Sequence, residues 1–443
     1  MPTEAANLPL GPPWPSAVQG ILFGIARHRI VRYYRERYGP VFSVNLPVFG
    51  RAVVLCDPTL IKELFTTSTD LVGQVEPNLG RMFGPGSLFS TEGDDHKRQR
   101  KLLAPPFHGR RMKAYEDIVV DEVRRELATW PEGAPIGTLE PMNRITLNII
   151  LRAVFGADGR ELDELRATLP GLVLSGSRLA AIPFPPETFG PVDIWKRFDR
   201  RRKRYDTIID RLIEQARSSN LDERNDILAV MLQSRYDDGS ALTNSEIADQ
   251  LFTLLAAGHE TTANTLAWTV ERLRRHPALF ARLQHEADTG GGELRAATIL
   301  EVQRTRPVVT LTGRQVRSDS FTIGGWTLPR GTVIAVAIDA VHQSNDVFPN
   351  AAAFDPDRFV GNRPDNYSWV PFGGGVRRCI GASFASMEMD VTLRILLETL
   401  DFESTESAGE RWKSRGITFA PADDGVAVVF RRDAQPASSG TVA

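Results

Sequence analysis

The stretch FGGGVRRCIG at 372–381 decides how this chain is read. It sets Cys379, one of two cysteines among 443 residues, behind three consecutive glycines. Beyond the cysteine the apolar residues fall into a helical pattern: Ala382, Phe384, Ala385, Met387, Met389, Val391, Leu393, Leu396 and Leu397. Gly373, Gly374 and Gly375 permit a tight turn and a close approach to something flat or bulky. A thiol at a helix N-terminus faces unpaired backbone N–H groups and the positive end of the helix dipole, and both favour the thiolate. Zinc would need several Cys or His ligands at short spacing, and none stand near Cys379. These residues leave two readings: a single soft ligand to the iron of a haem, or a glycine-rich anion nest in which the cysteine is incidental.

Outward from this loop, composition narrows the class. A formal net charge of -2 excludes a basic nucleic-acid-binding surface as the theme of the chain. Two cysteines make no disulfide framework, which points to a reducing cytoplasm. Cys56 closes the apolar run AVVLC at 52–56 and reads as a small core residue. The apolar run at 17–26 is shorter than the roughly 20 residues of a spanning helix. Pro12, Pro13 and Pro15 precede it without a basic region, so neither a signal peptide nor a membrane anchor is expected. Residues 1–443 read as one domain, with a Pro-rich coil at 1–20 and a frayed tail at 433–443. A helix is expected over 21–38, a hairpin from 41–46 and 52–55, helices over most of 92–303, and short strands at 308–311, 333–338 and 426–430. The fold class is mainly α with a small β portion.

A second stretch stands out within the helical part. TNSE at 243–246 reads as a capping box, and the helix after it meets no proline until His276-Pro277. Some thirty residues span about 45 Å. Its first half is apolar, yet GHETT at 258–262 sets charge and hydroxyls into its middle. Helical spacing puts Leu254, Gly258, Thr261 and Thr265 on one face, where Gly258 leaves room for a ligand. Thr261 either bonds back to the Ala257 carbonyl or turns toward a bound molecule. A glycine kink with a satisfied polar cluster is the plainer alternative. His259 lies about 200° round from Thr261 and is expected to be structural.

Taken together, these segments resemble the cytochrome P-450 family. Phe372, Gly375, Arg377, Cys379 and Gly381 match its haem-binding signature at every defined position, and Ala257, Gly258, Glu260, Thr261 and Thr262 match its oxygen-binding helix. The resemblance covers nearly the whole chain and implies that fold, with haem b between the long helix and the cysteine-loop helix. It implies that Cys379 ligates iron, that Thr261 hydrogen-bonds bound dioxygen and that Glu260 serves a proton relay. It places Phe372, Gly258 and Ala257 beside the haem and gives His96, Arg100, Arg314 and Arg377 the propionates. Glu301 and Arg304, joined by Arg358, are implied to form a triad that locks the cysteine loop. The link TGGG at 289–292 is shorter than in many members.

The activity implied is that of a soluble bacterial, actinobacterial-like haem-thiolate monooxygenase: a cytoplasmic monomer that inserts one oxygen atom from O2 into a lipophilic small molecule. Electrons would come from NAD(P)H through a ferredoxin reductase and a ferredoxin, because the chain carries no flavin or nicotinamide fingerprint. Lys97, Lys101, Arg110, Arg111, Lys113 and Arg378 would line the docking face for an acidic ferredoxin, and the basic run at 196–204 reads as a solvated helix face. Candidate substrate segments are 72–89, 169–189, 308–311 and 417–420. Two rivals are a peroxide-driven haem-thiolate enzyme, disfavoured by the intact Glu260-Thr261 pair, and a haem sensor without turnover.

Overall fold

Thirty helical residues, Asn244–Leu273, form the axis of the molecule. The capping box closes as its sequence requires: Glu246 N donates to Thr243 Oγ1 at 3.2 Å, and Thr243 N donates to Glu246 Oε2 at 2.8 Å. The helix is buried along almost its whole length, against the helix Leu139–Phe155 on one side and Ala382–Thr399 on another. Thr146 of the first neighbour donates its hydroxyl to the His259 carbonyl at 2.9 Å. This computed structural model describes residues 7–432 apart from 48, 76–77, 108, 110, 157–158, 182–187 and 190–191. The expected tail at 433–443, the first six residues of the Pro-rich coil, Arg110 and part of the candidate segments 72–89 and 169–189 therefore lie outside the described residues.

A second core sits under a five-stranded sheet. Val41–Leu46 pairs antiparallel with Gly50–Leu55, which pairs parallel with Val333–Ala337. That strand pairs antiparallel with Leu311–Val316, and Val72–Gly73 closes the edge. The alternation of the hairpin buries Phe42, Val44, Val53 and Leu55 with Ile334 and Val336. Cys56 lies in this core, where burial pushes its thiol up. A smaller antiparallel sheet, Leu400–Phe402 with Val426–Arg431 and Pro135–Gly137, ties the C-terminal part to the helical half.

Three boundaries differ from expectation. The first helix is Ser16–Tyr38, starting directly after Pro15 rather than at 21. Gln19 is buried; it donates to Trp14 O at 2.7 Å and accepts from Asn45 N at 2.9 Å, so its amide is satisfied inside the helix packing. The segment 308–311 is largely not strand. Val308 O accepts from Phe419 N and Thr310 O from Ile338 N, so these carbonyls leave the ladder and the strand starts at Leu311. Ile338 opens the short helix Ile338–His342 instead of ending a strand.

Candidate active site

The cysteine loop is built by its own backbone. Cys379 N donates to Phe372 O at 2.9 Å, Arg378 N to Gly375 O at 3.0 Å, and Gly373 N to Val370 O at 3.0 Å. Gly373 and Gly375 have φ of 66° and 63°, which a side chain would resist. What the glycines admit is Phe65, at the end of the helix Pro58–Thr66. A Cβ on Gly374 would stand 2.1 Å from the Phe65 ring, and one on Gly375 2.2 Å from the Phe65 carbonyl. The flat neighbour implied by the glycines is thus, at these two positions, a side chain and backbone of the protein. The helix itself begins at Ala382, three residues past the cysteine.

Cys379 is a free cysteine with an accessible side chain. Burial pushes the thiol up; the Gly381 amide, Arg100 and Arg378 pull it down without winning. The amide at the helix start favours the thiolate as expected, but burial outweighs it, and a bound metal cation would supply the missing stabilisation. Among the described residues no group of three His, Cys, Asp or Glu side chains could hold a metal ion by itself. A metal at Cys379 has to bring its remaining ligands with it, as haem iron does.

Around this thiol the structure gathers four cations or potential cations. Arg100 Nη2 donates to Arg378 O at 2.7 Å, Arg314 Nη2 to Gly374 O at 3.0 Å, and Arg377 Nη1 to Leu88 O at 2.7 Å. His96 is buried beside them; burial, then Arg377, Arg100 and Arg314, push it down to about 4. Burial and Arg377 lower Arg314 to about 10, and burial lowers Arg377 to about 10 against the pull of Glu92. Among the described residues none of the three arginines has a carboxylate within ion-pair distance, and Glu92 is engaged by Arg317 at 2.7 Å. Arg314 is buried, with its guanidinium over the Phe65 ring, and Arg100 and Arg377 are half-buried; such groups, which repel each other and have no ion-paired carboxylate among the described residues, fit an anion with more than one charge. The two propionates of a haem beside Cys379 meet that demand. Phe372 packs its ring on Trp369, centroids 6.0 Å apart.

The long helix contributes a second accessible patch. Between Leu251 and Val270 every residue is buried except Ala257, Gly258 and Thr261. The open face is therefore Ala257–Gly258–Thr261, whereas Leu254 and Thr265, expected on it, are buried. A Cβ on Gly258 would touch only Ile150, at an ordinary 3.4 Å, so protein packing does not require glycine there. The helix runs through unbroken, without the kink that glycine allowed. Thr261 donates its hydroxyl to Ala257 O at 2.7 Å, the first of the two dispositions open to it, and keeps oxygen lone pairs free to accept. His259 is buried and bonds through Nδ1 to Leu255 O at 2.7 Å, a structural position as expected.

Glu260 is not free. Arg415 Nε donates to its Oε1 at 2.8 Å, with the carboxylate side chain 5% exposed. Nothing in the sequence marked Arg415, which lies 155 residues away. Glu388 was also missed. It is buried on the helix after the cysteine, facing Thr262 of the long helix, and burial pushes its carboxyl well above the usual range. A glutamate inside the apolar pattern 382–397 was the available signal.

Glu301, Arg304 and Arg358 are brought together, away from the surface. Arg304 Nε and Nη2 donate to the two Glu301 oxygens at 2.7 Å each, and both side chains are 0% exposed. Arg358 Nε stands 3.3 Å from Glu301 Oε2. Arg304 also donates to the carbonyls of His342, Ala351 and Ala353, and Glu301 accepts from Asp355 N. His342 Nε2 in turn bonds Val370 N at 3.0 Å, two residues before Phe372.

The comparisons agree with this geometry. Residues 8–422 match the cytochrome P450 family profile. Over 419 residues, 94% of this chain and 95% of the relative, it is 51% identical to "Putative cytochrome P450 138" of Mycobacterium tuberculosis. Over 408 residues, 91% of this chain and 85% of the relative, it is 36% identical to "Putative cytochrome P450 137" of the same organism. The solved structure of cyanobacterial CYP120A1 bound to retinoic acid superposes with a TM-score of 0.83 at 21% identity, covering 97% of this chain and 100% of that one. No helix among the described residues is long and apolar enough to cross a membrane. A profile spanning nearly the whole chain and a relative sharing half its residues leave one conclusion: this chain belongs to the cytochrome P450 family and is a haem-thiolate monooxygenase.

Proposed function

We propose that the enzyme inserts one oxygen atom from O2 into a lipophilic small molecule, with electrons from NAD(P)H delivered by a ferredoxin reductase and a ferredoxin. One observation carries the cofactor assignment: an accessible thiol ringed by His96, Arg100, Arg314 and Arg377, with no carboxylate among the described residues within ion-pair distance of the arginines. In this reading Cys379 is the metal ligand, and the three arginines with His96 hold the propionates of haem b. When bound, the haem supplies the oxygen activation and the thiolate enriches its iron in electron density. Thr261 and Glu260 handle protons: the Thr261 hydroxyl swings from the Ala257 carbonyl toward the open face, and the Glu260 carboxyl replenishes it. Apolar side chains of the candidate segments that are only partly buried, among them Val308, Leu311 and Ile417, support a lipophilic substrate class.

Electron delivery is assigned to the cysteine side of the molecule. Two of its expected cations are already paired, Lys97 with Asp94 and Lys101 with Asp237, each at 2.9 Å. Arg111, Lys113 and Arg378 remain for an acidic ferredoxin. The test of ligation is the reduced carbon monoxide complex. The long-wavelength Soret band of a thiolate-ligated haem is expected in the wild type and lost in Cys379→His. A band retained in the variant overturns the ligand assignment. For the proton role, Thr261→Ala is expected to consume NADH and O2 while forming peroxide instead of product. An unchanged ratio of product to NADH, with any substrate found by a spectral-shift screen, removes Thr261 from the path. Absence of substrate-dependent NADH consumption with donor proteins would favour the sensor reading.

A further inference from the structure

One ring touches both parts of the proposed cofactor site. Phe65, 5% exposed, lies near the end of the helix Pro58–Thr66. Its ring lies under Gly374 and its carbonyl under Gly375, closer than any Cβ would tolerate. The Arg314 guanidinium stands over the same ring, with Cζ 5.5 Å from the centroid. Arg314 Nη2 closes the triangle by donating to Gly374 O at 3.0 Å.

The ring is itself held in place. Asp57 caps the helix by accepting from Leu60 N at 3.0 Å, and Pro58 stands in its first turn. At the other end Thr66 and Thr67 donate to the carbonyls of Lys62 and Glu63 at 2.8 and 2.7 Å. Ile61, Leu64 and Phe65 share the second core with Val316, on the strand that carries Arg314, and with Val370, two residues before Phe372. Helix, strand and cysteine loop thus meet in one apolar core. Apolar filling alone does not call for a ring there, since a leucine of similar volume would serve a core about as well. What leucine lacks is the negative face of the ring. Arg314, 7% exposed, bonds the carbonyls of Gly313 at 2.8 Å and Gly374, with no carboxylate in ion-pair distance among the described residues. A desolvated guanidinium gains most from such a face.

From this triangle we infer that Phe65 is a positioning residue for the haem: its ring fixes Arg314 and the cysteine loop relative to each other, so that the propionate-binding cation and the metal ligand are presented as one unit. The inference rests on the proposed roles of Arg314 and Cys379.

The test uses the haem-loaded protein and reads the rate of haem transfer to an acceptor apoprotein. Wild type is compared with Phe65→Leu, Arg314→Met and the double variant. Phe65→Leu is expected to speed transfer about 10-fold. The double variant is expected to fall well short of the product of the two single effects, because the ring acts through that guanidinium. The long-wavelength Soret band of the reduced carbon monoxide complex should also fade faster in Phe65→Leu, since the loop holding Cys379 loses the same support. A ring-fluorinated phenylalanine at position 65 keeps the shape and weakens the negative face; it should speed transfer several-fold, a change that mere core filling would not produce. Should Phe65→Leu fail to load haem, the fluorinated protein decides by itself. If fluorination leaves transfer unchanged, or if the effects of Phe65→Leu and Arg314→Met simply multiply, Phe65 is core filling and the inference is overturned. If Arg314→Met itself transfers haem at the wild-type rate, the propionate role of Arg314 fails, and the inference falls with it.

Discussion

Two arginine-rich regions flank the cysteine loop, and they are built on opposite plans. Around Glu301 every charge is answered: Arg304 holds both carboxylate oxygens and three carbonyls, and Arg358 closes the third side. Around Cys379 the charges are left facing one another: among the described residues Arg100, Arg314 and Arg377 bond carbonyls and no carboxylate, and His96 is driven neutral between them. A complete network stabilises the apoprotein and the holoprotein alike. An incomplete one is strained by mutual repulsion until an anion arrives, so its energy belongs to binding. The same residue type is thus a rivet in one place and, in the proposed reading, a receptor in the other, and carboxylate supply makes the difference.

The largest expected effect breaks the complete network. Glu301→Ala leaves Arg304 buried and unpaired, and is expected to cost about 3–5 kcal/mol. Denaturant unfolding of the apoprotein measures it; a loss below about 1 kcal/mol would put this pair among ordinary surface pairs. Next, Arg314→Met removes a charge-assisted contact to the anion and should weaken haem retention about 10- to 100-fold, read as haem transfer to an acceptor apoprotein. The contrast requires that apoprotein stability not fall with it. A variant that loses haem only because it unfolds would erase the distinction between the two regions.

Smaller effects sharpen the comparison. His342 joins the complete network to the loop, and burial, then Arg304, push it down to about 3. The unfolded chain binds a proton there below about 6.5, which the folded protein refuses, so this stability is present above about pH 6.5 and lost as pH falls. Between roughly pH 7 and roughly pH 5 the loss should be about 2 kcal/mol, and His342→Gln should flatten it in urea titrations at the two values. Equal slopes in both proteins would show that other groups govern the acid limb. The smallest change is Arg358→Ala. Its side chain is 13% exposed and reaches Glu301 through one contact, so about 1 kcal/mol is expected from the apoprotein melting shift. A loss matching that of Glu301→Ala would make Arg358 an equal member of the network.

Local patterns were legible where chemistry is local. The capping box at Thr243, the thirty-residue helix, the glycine bend before Cys379 and the i, i+3 pair Glu301–Arg304 all depend on neighbours within one or two turns, and the chain displays them directly. So was the gathering of His96, Arg100, Arg314 and Arg377, but only through the family pattern, since no spacing rule joins residues so far apart. Tertiary structure decided the rest. It showed that Phe65 fills the space under the glycines, that burial outweighs the helix start at the Cys379 thiol, and that the open face of the long helix is Ala257, Gly258 and Thr261, without Leu254 and Thr265. It also gave Glu260 its partner, Arg415, from a turn 155 residues away. Desolvation and ion pairing depend on what lies within a few ångströms in space. A sequence specifies that environment only through the whole fold, whereas caps, turns and helical faces are written in consecutive residues.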